Sequence, residues 1–265
     1  MTDDDKAARF RALHVKGQPL LMPNPWDVGA ARVLESLGYQ ALATTSSGAA
    51  AAMGRLDGGL SRDETVAAAA AIAAAVDVPV SGDFEHCFAD DPDGVAATVR
   101  LARHAGLAGC SVEDWDPVRK EIYPFDLAVA RVHAAVEAAD GFVVTARAEN
   151  LLRGGGLADT IARLQAFAAA GAPVVFAPGV RAADDIKAIV DAVDVPVNVL
   201  ARGGMPPVAE LAALGVARVS VGGSFAWAAF DALVQAATEL RDHGTYGYWS
   251  QVERGLGSVR PALRG

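Results

Sequence analysis

The chain has 265 residues, of which 52% are hydrophobic, so it is long enough to bury one large core. Its formal net charge of -9 opposes binding to nucleic acid phosphates. The apolar stretch at 67–76 is too short to cross a bilayer, so we expect no membrane partner.

Short apolar runs alternate with alanine-rich stretches of helical length from end to end. The predicted strands lie at 19–22, 40–44, 78–83, 108–112, 142–147, 173–177, 195–199 and 217–221. A predicted helix follows each strand, at 27–37, 62–76, 92–105, 125–139, 157–170, 182–192, 207–214 and 224–241. This alternation indicates an α/β chain built from βαβ units with a parallel sheet. Eight rounds favour a (β/α)₈ TIM barrel, as a single domain over 1–265.

Local signals mark several element boundaries. Ser61, followed three residues later by Glu64, has the pattern of a capping box. Asp91 before Pro92 is typical of an N-cap and first helical position. The last segment, about 242–265, is rich in aromatic residues and has no strand pattern. We expect it to form a C-terminal arm that packs on a neighbouring element.

The two cysteines, Cys87 and Cys110, form neither a CxxC pair nor a disulfide framework, which is typical of a reducing, cytoplasmic location. Cys110 lies inside a predicted strand, so we expect it in the core. The acidic start at 1–5 has no apolar run behind it, so we expect no signal peptide.

Acidic residues concentrate where the third, fourth and fifth predicted strands end, the edge that forms the active site of such barrels. Asp83 and Glu85 are two apart on a predicted extended strand, so both would point the same way. Together with Glu113 they would repel one another, and a hard divalent cation would relieve that repulsion. Oxygen ligands favour Mg²⁺, with Mn²⁺ as the second choice. The alternative is that an acid such as Asp83 or Asp114 caps the following helix.

Other strand ends carry groups suited to an anionic substrate. Ser46-Ser47-Gly48 offers hydroxyls and backbone N–H groups, or is an ordinary glycine-containing turn. Arg147 suits a substrate carboxylate or an enolate oxygen, or forms an internal ion pair with Glu113 or Glu149. For His86, next to these acids, we consider three roles. It could carry a proton, hydrogen-bond a residue that holds the metal, or be an ordinary hydrogen-bonded loop residue.

These segments resemble the isocitrate lyase/phosphoenolpyruvate mutase superfamily, from about Leu20 to Phe230. The segments that carry the resemblance are PNPWDVGAARVLESLGYQALATTSSGAA (23–50), GDFEH (82–86), SVEDWD (111–116), ARAEN (146–150) and NVLARGG (198–204). The resemblance implies a barrel of the phosphoenolpyruvate-binding type. It also implies a last helix that packs on, or is exchanged with, a partner in a homo-dimer or homo-tetramer.

The resemblance also implies roles for individual residues. Asp83, Glu85 and Glu113 match the residues that hold Mg²⁺, largely through water, and Asp57 matches an acid of the same shell. Arg147 matches the arginine at the 2-oxo acid end of the substrate. The resulting catalytic set is Arg147, Glu113 and Asp57. The predicted substrate contacts are Ser46, Ser47, Gly48, Ala49, Trp26 and Asn198.

The sequence departs from the superfamily patterns in three respects. Isocitrate and methylisocitrate lyases carry a Lys-Lys-Cys-Gly-His loop after the fourth strand, whereas 114–120 contains neither cysteine nor histidine. This stretch also lacks the lysine–asparagine pair expected of the phosphonate mutase. Cys87 stands where the Asp-x-Glu-x-Gly pattern has glycine. We therefore expect no isocitrate cleavage.

The chemistry implied is that of a Mg²⁺-dependent lyase. It would act on a small 2-oxo or 2-hydroxy carboxylic acid through a pyruvate-like enolate, by carbon–carbon cleavage or decarboxylation. One alternative is a phosphonate mutase or hydrolase that makes or breaks a carbon–phosphorus bond. The other is a non-catalytic barrel that binds a 2-oxo acid.

Overall fold

Short runs of Val, Leu and Ala form the strands, because such side chains fill both faces of a buried parallel sheet. The computed structural model describes residues 3–264, so residues 1–2 of the acidic start and residue 265 of the predicted domain lie outside it. The strands are β1 (Leu20–Met22), β2 (Leu42–Ala43), β3 (Val80–Asp83), β4 (Gly109–Glu113), β5 (Trp115–Asp116), β6 (Glu121–Ile122), β7 (Val143–Arg147), β8 (Val174–Phe176), β9 (Val197–Leu200) and β10 (Arg218–Ser220).

Eight of these strands form one sheet, in the order β1-β10-β9-β8-β7-β4-β3-β2. The pairings in this sheet are parallel. The two ends of the sheet meet where Ala43 N donates to Pro23 O at 3.1 Å, so the barrel is nearly closed. The predicted (β/α)₈ barrel is confirmed, and each of the eight predicted strands overlaps an observed barrel strand.

The helices surround the sheet. They are α1 (Asp3–Ala12), α2 (Val28–Ser36), α3 (Ser46–Ala52), α4 (Arg62–Ala75), α5 (Pro92–His104), α6 (Phe125–Glu137), α7 (Leu157–Ala169), α8 (Ala183–Ala192), α9 (Val208–Ala213), α10 (Ser224–His243) and α11 (Trp249–Val259). The eight predicted helices are present. Sequence periodicity did not reveal α1, the short α3 or the antiparallel β5–β6 hairpin.

The predicted caps are confirmed. Ser61 Oγ accepts a hydrogen bond from Glu64 N, and Glu64 Oε2 accepts one from Ser61 N at 2.9 Å, which completes the capping box of α4. Asp91 Oδ1 accepts from Gly94 N at 2.9 Å at the start of α5, where Pro92 is the first helical residue. Each cap satisfies N–H groups that have no partner inside the helix.

Helix α1 closes the N-terminal end of the barrel. Phe10 is fully buried there, among Leu20, Ala41 and Val174. A Cβ at Gly109 would lie 2.9 Å from the Phe10 ring and 2.6 Å from Val143 O, so this close approach requires glycine. Polar access to the barrel interior is therefore from the opposite, C-terminal end.

The C-terminal helices pack sparsely on their own chain. Ala226 is the one described residue of α10 that is buried, and no described residue of α11 is buried. The predicted arm thus consists of α11 and a short 3₁₀ turn, Pro261–Leu263, that contacts α2. Within residues 3–264, no helix has the length and apolar character needed to span a membrane.

Candidate active site

A cavity of about 810 Å³ opens at the C-terminal ends of the barrel strands. Parallel strands bring their last residues to one edge, so side chains that are distant in sequence meet there. Most of the predicted site residues line this cavity: Ser46, Ser47, Asp57, Asp83, Glu85, Glu113, Arg147 and Asn198. The acids therefore converge, as the strand-end pattern predicts.

Three predicted substrate contacts lie behind the cavity wall. Trp26 and Ala49 line a separate, much smaller pocket. Gly48 is buried inside α3, where an added Cβ would lie 2.7 Å from Thr45 Cγ2 and 2.9 Å from Trp26 Cβ. These residues set the position of the Ser46–Ser47 backbone instead of lining the cavity.

Asp83 is fixed from three sides. Asp83 Oδ2 accepts from Ser46 N at 3.0 Å, and Oδ1 accepts from Ser111 Oγ at 3.2 Å. Asp83 N donates to Thr44 Oγ1 at 2.8 Å. Asp83 is therefore held by the end of β2, by the first residue of α3 and by β4, and it does not cap the following helix, α5, whose N-cap is Asp91.

The expectation that Asp83 and Glu85 share one face of an extended strand is wrong. Strand β3 ends at Asp83, and Glu85 has φ 51°, in the left-handed region. Cys87 and Phe88 follow with φ 59° and 55°, so the chain turns sharply here. Glu85 reaches the cavity from this turn and not from the pleat of a strand.

Cys87 occupies the position that is glycine in the superfamily pattern, and its left-handed φ is the conformation that glycine adopts most readily. Both Cys87 and Cys110 are fully buried, which confirms Cys110 as a core residue. His86 is not among the residues that line the cavity. Its Nδ1 is buried without a hydrogen-bond partner, and its ring packs near Phe88.

Arg147 lies at the centre of the acidic residues. Its Nη1 is 2.7 Å from Glu113 Oε1 and 3.2 Å from Asp83 Oδ1. Its Nε and Nη2 donate to Glu149 Oε1 at 3.0 and 2.7 Å. The internal ion pairs that we considered as an alternative role are thus present, with both Glu113 and Glu149. Because Arg147 also lines the cavity, these pairs fix the position of its guanidinium group in the cavity wall.

The charges around Arg147 are strongly coupled. Burial by itself would lower the pKa of Arg147, but Glu113, Glu149 and Asp83 outweigh it and raise that pKa. Burial raises the pKa of Glu113, and Arg147 opposes this shift without cancelling it. Three carboxylates share one guanidinium, so the positive charge of Arg147 is strongly favoured at this position.

The raised pKa of Glu85 shows that too little positive charge lies near the acidic residues of the cavity. Burial, then repulsion from Asp83 and Asp57, raises the pKa of Glu85 to about 7. A hard cation among these three carboxylates would remove that repulsion, so the donor set fits Mg²⁺. In the part of the chain that is described, no three His, Cys, Asp or Glu side chains converge closely enough to surround an ion by themselves. Ligation largely through water matches both observations.

The segment after β4 forms the β5–β6 hairpin. Trp115, Pro117 and Lys120 of this segment line the cavity. Asp114 is buried, accepts from Glu149 N at 2.7 Å and pairs with Arg163 Nη1 at 3.2 Å, so it does not cap a helix. The hairpin therefore forms one wall of the cavity next to the end of β4.

The prediction missed several polar residues deeper in the cavity. They are Ser81, Ser111, Arg218 and Ser220. Ser81 and Ser111 each lie two positions before a predicted site acid, Asp83 or Glu113. The two-residue period of a strand places such pairs on one face, so this signal was available in the sequence.

Known proteins are similar in sequence to this chain over most of its length. The pattern of the phosphoenolpyruvate phosphomutase family matches residues 10–241. Oxaloacetate decarboxylase of Paraburkholderia xenovorans (strain LB400) is 31% identical over 231 residues, 83% of this chain and 75% of that protein. 2,3-Dimethylmalate lyase of Eubacterium barkeri is 30% identical over 256 residues, 90% of this chain and 87% of that protein.

Solved structures share the fold. A protein of Burkholderia cenocepacia J2315, whose crystal structure carries the general description lyase/mutase, has a TM-score of 0.93 and 46% identity, covering 97% of this chain and 96% of that one. Oxaloacetate acetylhydrolase in complex with its product oxalate has a TM-score of 0.84 and 26% identity, covering 92% and 89%. The chain therefore belongs to the phosphoenolpyruvate phosphomutase family, within the isocitrate lyase/PEP mutase superfamily of lyases and mutases.

Proposed function

We propose that the protein is a Mg²⁺-dependent lyase that acts on a small 2-oxo or 2-hydroxy carboxylic acid, by carbon–carbon cleavage or decarboxylation. The observation that carries this proposal is the contact of Arg147 with Asp83, Glu113 and Glu149 beside the open cavity. The rigidly held Arg147 guanidinium can bind a negatively charged oxygen of a 2-oxo acid. The carboxylates beside it can hold the Mg²⁺ ion that the same acid would chelate. Relatives that are named oxaloacetate decarboxylase and dimethylmalate lyase support this substrate class.

In this proposal the carboxylate of the substrate lies near Ser46 and Ser47 at the start of α3. The guanidinium of Arg147 donates to the oxygen that gains negative charge as the adjacent bond breaks and an enolate forms. Since Glu149 and Glu113 already hold this side chain in place, little reorganisation accompanies the reaction.

Asp83, Glu85 and Glu113, with Asp57 at the edge, would hold the Mg²⁺. When it is bound, the ion would supply Lewis-acid stabilisation of negative charge on the 2-oxo acid. Manganese, which accepts similar oxygen ligands, would be the second choice.

The β5–β6 hairpin limits the range of substrates. It contributes no cysteine or histidine, so the protein lacks the loop acid of isocitrate and methylisocitrate lyases. Substrates whose departing fragment needs no such acid are favoured, as in decarboxylation of a 2-oxo acid.

The test is a panel of 2-oxo and 2-hydroxy acids, oxaloacetate among them, incubated with protein and Mg²⁺ and followed by proton NMR. We expect Mg²⁺-dependent consumption of at least one acid, abolished by EDTA. If the folded protein consumes none of them but binds one in a Mg²⁺-dependent manner by calorimetry, it is instead the non-catalytic 2-oxo acid-binding barrel.

A second candidate is a phosphonate mutase or hydrolase, favoured by the match to the phosphoenolpyruvate phosphomutase pattern over residues 10–241. Phosphorus NMR with phosphonopyruvate distinguishes the two candidates, because only this activity changes the carbon–phosphorus bond. Conversion of phosphonopyruvate without turnover of any carboxylic acid would replace our main proposal.

We also propose that the protein forms a homo-dimer or homo-tetramer through its C-terminal helices. Trp227, Leu233 and Val234 of α10 are 54%, 62% and 60% exposed in the single chain. Burying such side chains against a second copy would stabilise the assembly. Light scattering coupled to gel filtration tests this; a monomeric mass at micromolar concentration would contradict it.

A further inference from the structure

Arg218 is a buried cation inside the barrel, below the acidic residues. Its side chain is 3% exposed and forms part of the cavity wall. Arg218 Nη1 interacts with His14 Nε2 at 3.2 Å and donates to Thr145 Oγ1 at 3.1 Å. Both partners are uncharged, since burial and then the charge of Arg218 lower the pKa of His14 to about 3.

No negative charge compensates Arg218 directly. Among the residues with described side chains, no carboxylate lies within ion-pair distance of its guanidinium, and its main electrostatic neighbour is the like-charged Arg147. A buried charge without a counter-charge costs several kcal/mol. Because the Arg218 guanidinium is buried and has no counter-charge, it should attract an anion at this point of the cavity.

Two buried polar atoms at this point have no hydrogen-bond partner. One is Arg218 Nε, and the other is Asn198 Oδ1. Arg218 and Asn198 are register partners on β10 and β9, so their side chains leave the sheet next to each other. Both residues line the same cavity. The unpartnered atoms therefore belong to one local site.

The Asn198 amide can face this site as a donor. Its Nδ2 now contacts Ser220 Oγ at 3.0 Å, and the hydroxyl can either accept or donate. With the amide turned over, its oxygen accepts from Ser220 and its NH₂ group points where Oδ1 lies now. Arg218 Nε–H and Asn198 Nδ2–H then form a pair of donors, one of which carries a full charge.

We propose that Arg218 and Asn198 form an anion-binding subsite at the floor of the cavity, which takes one small monovalent anion, either a carboxylate group or a halide ion. The subsite is separate from the acids that would hold Mg²⁺, and it needs no metal. It gives the cavity a second position for negative charge, in addition to the Ser46–Ser47 end.

The test uses protein that is freed of metal with EDTA and then of EDTA by gel filtration, with ionic strength held constant by sodium HEPES, a bulky sulfonate that is neither a carboxylate nor a halide. Sodium formate and sodium chloride are titrated separately, and the melting temperature is recorded. We expect a saturable rise with at least one of the two anions. A larger response to formate identifies a carboxylate subsite, and a larger response to chloride identifies a halide subsite.

Arg218→Met should weaken the apparent affinity for the anion at least tenfold, whereas the matched control Arg103→Met, on the outside of α5, should leave it unchanged. Asn198→Leu provides a second variant if Arg218→Met does not fold. A crystal soaked in bromide should give an anomalous peak beside Arg218 Nε. The proposal is overturned if there is no saturable response, if Arg218→Met responds equally, or if chloride gives the larger response while bromide binds only elsewhere. These measurements involve neither substrate nor Mg²⁺, so they are independent of the proposed lyase activity.

Discussion

Glu113 and Arg147 are register partners on the adjacent parallel strands β4 and β7, and their side chains form an ion pair of 2.7 Å across the cavity edge. The pairing is fixed by the backbone ladder, so Arg147 has little freedom to leave the acids. This relationship explains why one guanidinium can both neutralise the acidic residues and face a ligand.

Arg147→Lys should lower kcat/KM for whichever acid the wild-type protein consumes by about 10²–10³-fold. Lysine keeps the charge but cannot make the forked contacts to Glu113, Glu149 and Asp83 at once. Steady-state kinetics measure the effect, with Arg103→Met, on the outside of α5, as the control. A loss of less than threefold would mean that Arg147 is only a structural counter-ion.

Binding of Mg²⁺ at pH 7 should release up to about half a proton from Glu85, because its raised pKa of about 7 leaves the side chain about half protonated and a cation favours its charged form. Affinity for Mg²⁺ should therefore fall as the pH drops below 7. Calorimetric titrations in two buffers with different ionisation enthalpies measure the proton count. Glu85→Gln should show a smaller count, and identical heats in both buffers for the wild type would refute the prediction.

His14 should make the fold less stable in mild acid. Its folded-state pKa is about 3, whereas the unfolded chain takes up the proton near pH 6.5. Below pH 6.5 the unfolded state therefore binds more protons, and the free energy of unfolding falls by up to about 1.4 kcal/mol per pH unit until about pH 3. Urea unfolding at pH 7 and pH 5 should show a loss about 2 kcal/mol larger in the wild type than in His14→Gln. Equal losses would indicate that His14 is protonated in the folded protein.

Arg131 should control the loop that carries Glu85. Its guanidinium donates to the carbonyl oxygens of His86 (2.7 Å) and Asp90 (2.9 Å), and also to that of Ala89. Arg131→Met should cost about 3–5 kcal/mol of stability, because buried carbonyl groups lose charged donors. Urea unfolding measures the cost, and hydrogen exchange should show faster opening at residues 86–90. Arg131→Lys should recover part of the loss; a cost below about 1 kcal/mol for Arg131→Met would contradict the role.

Ser61→Ala should destabilise the protein by about 0.5–2 kcal/mol, because it removes the side-chain half of the capping box of α4. Thermal unfolding measures the change. Catalytic parameters should stay the same, since Ser61 does not line the cavity. Ser36→Ala, on the exposed end of α2, is a matched control that removes a hydroxyl without removing a cap.

The sequence by itself determined the barrel and the position of its active edge. Eight alternations of apolar run and helix require a parallel sheet, and parallel strands carry their last residues to one edge whatever the loops do. For the same reason, Asp83, Glu113 and Arg147 could be assigned to one site before their distances were known. The capping box at Ser61 and the proline start at Pro92 were equally local signals.

Only the tertiary structure decided which groups face one another within that edge. The left-handed turn at Glu85 overrides the two-residue period, because Arg131 and the buried Cys87 hold the loop in a conformation that no local pattern encodes. Trp26 and Ala49 do not line the cavity because they face a separate small pocket between α3 and α4, where they lie near Ala68 and Ile72. The isolation of Arg218 from every described carboxylate depends on side chains from β7 and the end of α1 that meet only in the closed barrel. Sequence periodicity indicates the face on which a residue lies, but charge balance depends on distances that exist only after folding.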